Sequence, residues 1–198
     1  MAAKPQLVLD IAGVLVGNFF PVFWEELAPF AGGDGLKLRE RFRREIRREL
    51  WTGQLPEQKF WEWLKVHCSG IDPAWARQRL EAAMRPLPAV GRLERWSRSA
   101  ELHLLSNHCR EWLAPVLGTI EPFVRSVTIS NQVGCCKPEP AIYRLTEAHF
   151  GGGRNVLFVD DQEKNLEPAA RLGRRTLLAD EGGEWMEEAE RFLAECIA

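Results

Sequence analysis

Nowhere in this chain of 198 residues does an apolar run approach the roughly 20 residues needed to cross a bilayer. The first residues carry one lysine ahead of a short strand-like run, not the pattern of a secretory signal. An excess of one charge is also missing. Lysine and arginine number 26 against 28 acidic residues, and a net charge of −2 creates no field that would gather nucleic acid or an anionic membrane. Cysteines are few and odd in number, at positions 68, 109, 135, 136 and 196. They form no CxxC and no framework spacing, which points to reduced thiols and a cytoplasmic setting. The adjacent pair Cys135-Cys136 has neither metal-site nor redox spacing. No internal repeat and no low-complexity linker divides the chain. These absences leave one domain, with room for an insertion.

What is present reads as an ordinary globular composition, 45% hydrophobic and 27% charged. Two short apolar runs end in aspartate: Leu7-Val8-Leu9-Asp10 and Val156-Leu157-Phe158-Val159-Asp160-Asp161. Continuous apolar runs of this length are central strands of a parallel sheet buried on both faces. Ligands in open α/β sheets bind beyond the carboxyl ends of the strands. If the two strands are neighbours, three carboxylates meet at one sheet edge, an arrangement that favours a bound cation or shifted pKa values.

Between these runs the pattern changes twice. Residues 20–85 read as helical throughout. Leu38, Phe42, Ile46 and Leu50 recur every four residues and predict one helix. Arg39, Arg41, Arg43, Arg44, Arg47 and Arg48 lie between them. Such a run has the composition of a nucleic-acid patch, but Glu40, Glu45 and Glu49 are interspersed, and the sequence reads as a solvated helix face. Gly53 and Pro56 precede a second helix, Glu57 to His67. Asp72-Pro73 is an N-cap followed by proline at the first helical position, opening a third helix to about Met84. Four tryptophans (24, 51, 61 and 63) fall in this region. Trp24, Trp51 and Gln54 are candidates to face a site, while most of the tryptophans are expected to pack the region's own core.

From Leu87 onward strands and helices alternate. A helix over 89–97 leads to the strand Leu102-His103-Leu104-Leu105, a helical patch follows at 110–117, and Ser126 to Ser130 is β-branched. Pro140 opens a helix that Gly151-Gly152-Gly153 is expected to close. Strand 156–159, a helix to Gly173, strand 176–178 and a last helix carrying Trp185, Ala189, Phe192, Leu193 and Cys196 complete the chain. The alternation predicts an α/β fold: a Rossmann-like parallel sheet with helices on both faces. The core would comprise 1–16 and 87–198, with an α-helical cap inserted over 17–86.

Four segments stand at strand ends in order: LVLDIAGVLV, LHLLSN, GCCKPEPAIY and VLFVDDQEKN. In this order, and with the later AARLG run, they resemble the haloacid dehalogenase (HAD) superfamily of hydrolases over nearly the whole chain. The GxxKPEPAIY and VDDxxxN forms are similar to the branch holding sugar-1-phosphate phosphatases and the phosphatase domain of soluble epoxide hydrolase. The resemblance implies a Mg²⁺-dependent phosphatase acting on a small phosphorylated metabolite. Asp10 would attack phosphorus and form an aspartyl-phosphate. Ser106 would hydrogen-bond a phosphoryl oxygen, with Asn107 orienting substrate, and Lys137 would neutralise charge. Asp161 and Asp160 would hold Mg²⁺ with Asp10 and the main-chain carbonyl of Ala12. Asn165 would brace the metal loop.

One position departs from the pattern. Phosphatases of the superfamily carry a second aspartate two residues after the nucleophile, as general acid and base; here that position is Ala12. Losing such a group costs about 10²–10⁴ in rate. Three readings follow: a phosphatase for good leaving groups, with His108 as a candidate proton source; a metal-independent 2-haloacid dehalogenase, whose halide needs no acid; or a non-catalytic binding protein of the same fold.

Overall fold

The computed structural model describes residues 3–152, 155–180 and 182–196. The elements run β1 (Gln6–Leu9), α1 (Phe20–Leu27), α2 (Gly35–Glu45), α3 (Arg47–Trp51), α4 (Glu57–His67), α5 (Pro73–Ala83), α6 (Leu93–Ser99), β2 (Glu101–Ser106), α7 (Arg110–Ile120), β3 (Ser126–Ile129), α8 (Ser130–Val133), α9 (Pro140–Glu147), β4 (Val156–Asp160), α10 (Glu163–Arg171), β5 (Arg175–Leu178) and α11 (Trp185–Glu195). The five strands form one parallel sheet in the order β3-β2-β1-β4-β5. This is the α/β Rossmann-like architecture that the alternation predicts.

The central strands are largely apolar because both of their faces are covered. Leu7, Leu9, Leu102, Leu104, Leu157 and Val159 point to one face, where they pack with Trp96 of α6, Leu113 of α7 and Phe192 of α11. Val8, Leu105 and Phe158 alternate with them and meet Ile142 and Tyr143 of α9 and Leu166 of α10 on the other.

Register then sets the site. Leu9 pairs with both Leu104 and Val159. The next residue of β1, Asp10, therefore stands level with Asp160, and Ser106 ends the strand on the other side.

The segment 17–86, which follows β1 and ends ahead of α6, holds five α-helices, α1 to α5. It leaves and rejoins the sheet through one narrow neck. Val16 bridges to Pro86, and the Gly17 amide donates to the Arg85 carbonyl at 2.9 Å. Asp72 caps α5 through the Ala74 amide at 3.0 Å, with Pro73 next to it, as its sequence predicts.

The four-residue stripe does not form one helix. Ile46 leaves helical geometry (φ −138°, ψ −11°) and divides α2 from α3. It is half-buried, whereas Leu38, Phe42 and Leu50 are buried, so the stripe stops at Phe42 and restarts at Leu50. Helix α9 ends at Glu147, ahead of the glycines expected to close it, through turns from His149 to Thr146 and Phe150 to Glu147. Gly153 lies outside the described residues. No helix among the described residues is long and apolar enough to cross a membrane. All five cysteines are free thiols.

Candidate active site

Asp10 leaves β1 buried, with a carboxylate that is already engaged. Its Oδ1 accepts from the Ile11 amide at 2.7 Å, and its Oδ2 lies 2.9 Å from Lys137 Nζ. Lys137 is buried as well and donates to Asp160 Oδ2 at 2.6 Å. Asp160 is fully enclosed; its Oδ1 accepts from the Gln162 amide at 2.9 Å and from Asn165 Nδ2 at 2.8 Å. Asn165 thus braces the acidic loop, as the resemblance implies. Asp161 is half-buried and takes weaker support, from Gln162 Nε2 at 3.2 Å and Asn18 Nδ2 at 3.5 Å.

Oxygen atoms of Asp10, Asp160 and Asp161 lie within 4.8 Å of one another. Burial pushes the Asp10 carboxyl up to about 7, against the pull of Lys137 and with the help of Asp160 and Asp161. Burial and then Asp160 raise Asp161. Burial works against the charge of Lys137, but Asp10 and Asp160 outweigh it and hold the ammonium above its ordinary value. Lys137 pairs with Asp10 and Asp160 but not with Asp161, so the three clustered carboxylates keep a local excess of negative charge that a divalent ion would neutralise. An all-oxygen donor set suits Mg²⁺. Gly13 completes the fit: at φ +86° it brings its backbone so close that a Cβ would fall 2.4 Å from Asp161 Oδ2.

A cavity of about 490 Å³ opens over this group. Asp10, Ala12, Ser106, Asn107, Lys137 and Asp161 line it, whereas Asp160 lies beneath, behind Lys137. Ser106 Oγ is buried without a hydrogen-bond partner, free to donate to a ligand. Asn107 is committed differently. Its Oδ1 accepts from the Lys137 amide at 2.7 Å, and its Nδ2 donates to the Lys137 carbonyl at 2.8 Å, so it clamps the lysine loop.

His108 does not fit the role of proton source. Its Nδ1 lies 3.2 Å from the Cys109 carbonyl, which can only accept, so Nδ1 carries the hydrogen and Nε2 is a bare lone pair without a partner. Burial lowers the imidazole to about 4, which keeps it neutral at pH 7. Of the three residues expected to face a site, Trp51 does, stacked on His108 at 5.5 Å. Trp24 is packed against Phe42 at 5.1 Å, and Gln54 is exposed; neither lines the cavity.

No protein-family sequence model matches the chain. Solved structures do. A protein assigned to the HAD-like family hydrolases from Porphyromonas gingivalis superposes with a TM-score of 0.76 at 22% identity, over 97% of this chain and 98% of that one. A HAD family enzyme from Bacteroides thetaiotaomicron, in complex with magnesium and inorganic phosphate, gives 0.75 at 20% identity, over 90% and 96%. The chain has the HAD fold. A dehalogenase shares it at a TM-score of 0.62 and 22% identity, over 90% of this chain and 85% of that one, and a dehalogenase with intermediate complex gives 0.64 at 20%, over 91% and 86%.

Within this HAD fold the helical segment 17–86 also supplies part of the cavity wall. Arg39, Arg43, Arg47 and Arg48 line it, together with Phe20 of α1 and Lys164 of α10. The solvated-face reading is incomplete here: Arg43 and Arg48 are exposed, as it expects, yet they line the cavity together with the half-buried Arg39 and Arg47. Arg39, Arg43 and Arg47 are spaced by four residues, a pattern that a count of interspersed glutamates conceals, although the structure places Arg47 in α3, beyond the break at Ile46.

Proposed function

We propose that the chain is a Mg²⁺-dependent phosphatase of the HAD superfamily, hydrolysing a small phosphomonoester through an aspartyl-phosphate on Asp10. The observation that carries this reading is the convergence of Asp10, Asp160 and Asp161 within 4.8 Å, with Lys137 bridging Asp10 and Asp160, beneath a cavity that holds an unpartnered serine hydroxyl. In the reaction an Asp10 oxygen bonds to phosphorus, and the ester oxygen departs with its electron pair. Ser106 Oγ donates to a phosphoryl oxygen. Lys137, held in place by Asp160 and the Asn107 clamp, balances the charge shared between nucleophile and phosphoryl group. Asp10, Asp161 and the Ala12 carbonyl would hold Mg²⁺, with Asp160 contributing chiefly through the lysine; the ion when bound supplies charge neutralisation at the phosphoryl oxygens.

Ala12 can neither protonate the leaving group nor deprotonate the water that clears the intermediate, and neutral His108 has no Nε2 proton to give. This favours esters whose leaving group departs unprotonated, such as anomeric or acyl phosphates, in keeping with the branch that the KPEPAIY and VDDQEKN motifs resemble. The segment 17–86 would act as the cap that selects substrate, and free thiols fit a cytoplasmic setting. A broad phosphate panel, run with and without Mg²⁺, tests the reading: release of phosphate that EDTA stops is expected, and no release from any compound would refute it.

Ala12 also keeps the dehalogenase reading in play, because halide needs no acid. The paired Asp160 and Asp161 oppose it, since they gather negative charge where that reaction needs no metal. Chloride release from 2-chloropropionate in EDTA would decide for it.

A further inference from the structure

We propose that the cap wall of the cavity is a second anion site, built by Arg39, Arg43 and Arg47, and that the substrate carries a further phosphate or carboxylate beyond the group that reacts. The substrate half of this inference rests on the phosphatase reading; the anion site itself does not.

The arginines of the run divide by partner. Arg41 and Arg44 point away from the cavity and pair with Glu45 at 3.6 and 3.5 Å. Arg48 lines the cavity and pairs with Glu139 at 3.3 Å. Arg39, Arg43 and Arg47 line it too, and among the described residues none of them has a carboxylate within ion-pair distance. Arg39 Nε is buried with no hydrogen-bond partner, its guanidinium 5.8 Å from the Phe20 ring. Arg47 is half-buried, and burial, then Arg43 and Arg39, lower its guanidinium below the ordinary value. Like charges gathered around one space, with donors unspent, leave a deficit that an anion fills.

The reacting phosphoryl group has its own donors in Ser106 and Lys137, so the cap arginines are available for a different group. Guanidinium forks match phosphate and carboxylate oxygens in pairs. A cavity of about 490 Å³ that is also walled by Phe20 and Trp51 is the size of a small-molecule site. A metabolite with two separate anionic groups therefore fits better than a nucleic-acid backbone, and the chain's net charge of −2 agrees.

Calorimetry on Asp10→Asn protein with Mg²⁺ provides the test, since that variant binds without turnover. The probes are α,ω-alkanediol bisphosphates of several chain lengths and the monophosphates of the same diols. At least one bisphosphate should bind about ten-fold more tightly than its monophosphate. Arg43→Gln, alone and with Arg47→Gln, should remove that advantage, and Arg44→Gln should keep it. Arg43 is exposed, so its single substitution leaves the fold intact. Equal affinities for every pair, no measurable binding of any bisphosphate, or an advantage that survives Arg43→Gln with Arg47→Gln would overturn the proposal. An arginine-dependent advantage in a protein whose wild type releases no phosphate would uphold the anion site and count against the phosphatase reading alone.

Discussion

Gly13 packs its backbone against the carboxylate of Asp161, leaving no room for a side chain: a Cβ would lie 2.4 Å from Oδ2 and 2.6 Å from Cγ. The residue also holds φ +86°, where an L side chain is strained. One glycine thus couples the loop after β1 to the loop after β4. Gly13→Ala should cost about 1–2 kcal/mol from the left-handed backbone alone. It should also weaken Mg²⁺ binding by pushing Asp161 aside. Chemical denaturation and a calorimetric Mg²⁺ titration check both; unchanged metal affinity in a destabilised variant would separate Asp161 from the ion.

Lys137 joins two buried carboxylates, at 2.9 Å to Asp10 and 2.6 Å to Asp160. Removing one partner of a buried ion pair costs about 3–5 kcal/mol, because the charge left behind stays buried. Lys137→Met should lose stability on that scale. Adding Asp160→Asn should recover part of the loss, since Asp160 is then no longer an unpaired anion. A single variant as stable as wild type would mean that the lysine is not compensating these charges.

Ala12 lines the cavity where a general acid and base is expected. Ala12→Asp should raise turnover on alkyl phosphates, with poor leaving groups, by about ten-fold or more, and on aryl phosphates by less. Steady-state kinetics on the two classes give the comparison. No gain, in a variant that still folds and binds Mg²⁺, would place the deficit elsewhere.

Two buried histidines tie stability to pH. His103 lies between Gln6 Oε1 at 2.8 Å and Ser126 Oγ at 2.7 Å, and burial holds both His103 and His108 down to about 4. An unfolded histidine titrates near about 6.5, so between these values the unfolded chain binds more protons. Stability is then fully present above the unfolded value, falls as pH drops, and levels off below the folded one. For His108 a gap of this size is on the order of 3 kcal/mol. Denaturant melts of wild type and His108→Gln across this range should show a steeper acid-side loss in wild type. Parallel curves would contradict the assignment.

Much of this was legible in the sequence. The apolar runs ending at Asp10 and Asp160 are strands because both of their faces are buried, and in-register pairing of Leu9 with Val159 does the rest. Helix α4 spans Glu57–His67 as read, and α5 starts behind its Asp72 cap. Two features were hidden. The break at Ile46 falls inside an unbroken apolar stripe, with no glycine or proline to mark it. The role of Arg39, Arg43 and Arg47 depends on which helix face meets the sheet edge, which is a tertiary fact. Composition showed mixed charge there; only the fold sorts the paired arginines from the unpaired ones.

The aspartyl-phosphate itself offers the most direct test. Because Ala12 cannot activate water, the intermediate should break down slowly and accumulate. Mass spectrometry of protein quenched during turnover of an acyl or aryl phosphate should find one phosphoryl group on the peptide carrying Asp10, dependent on Mg²⁺ and absent from Asp10→Asn, which should release no phosphate. Undiminished phosphate release by Asp10→Asn would contradict the account.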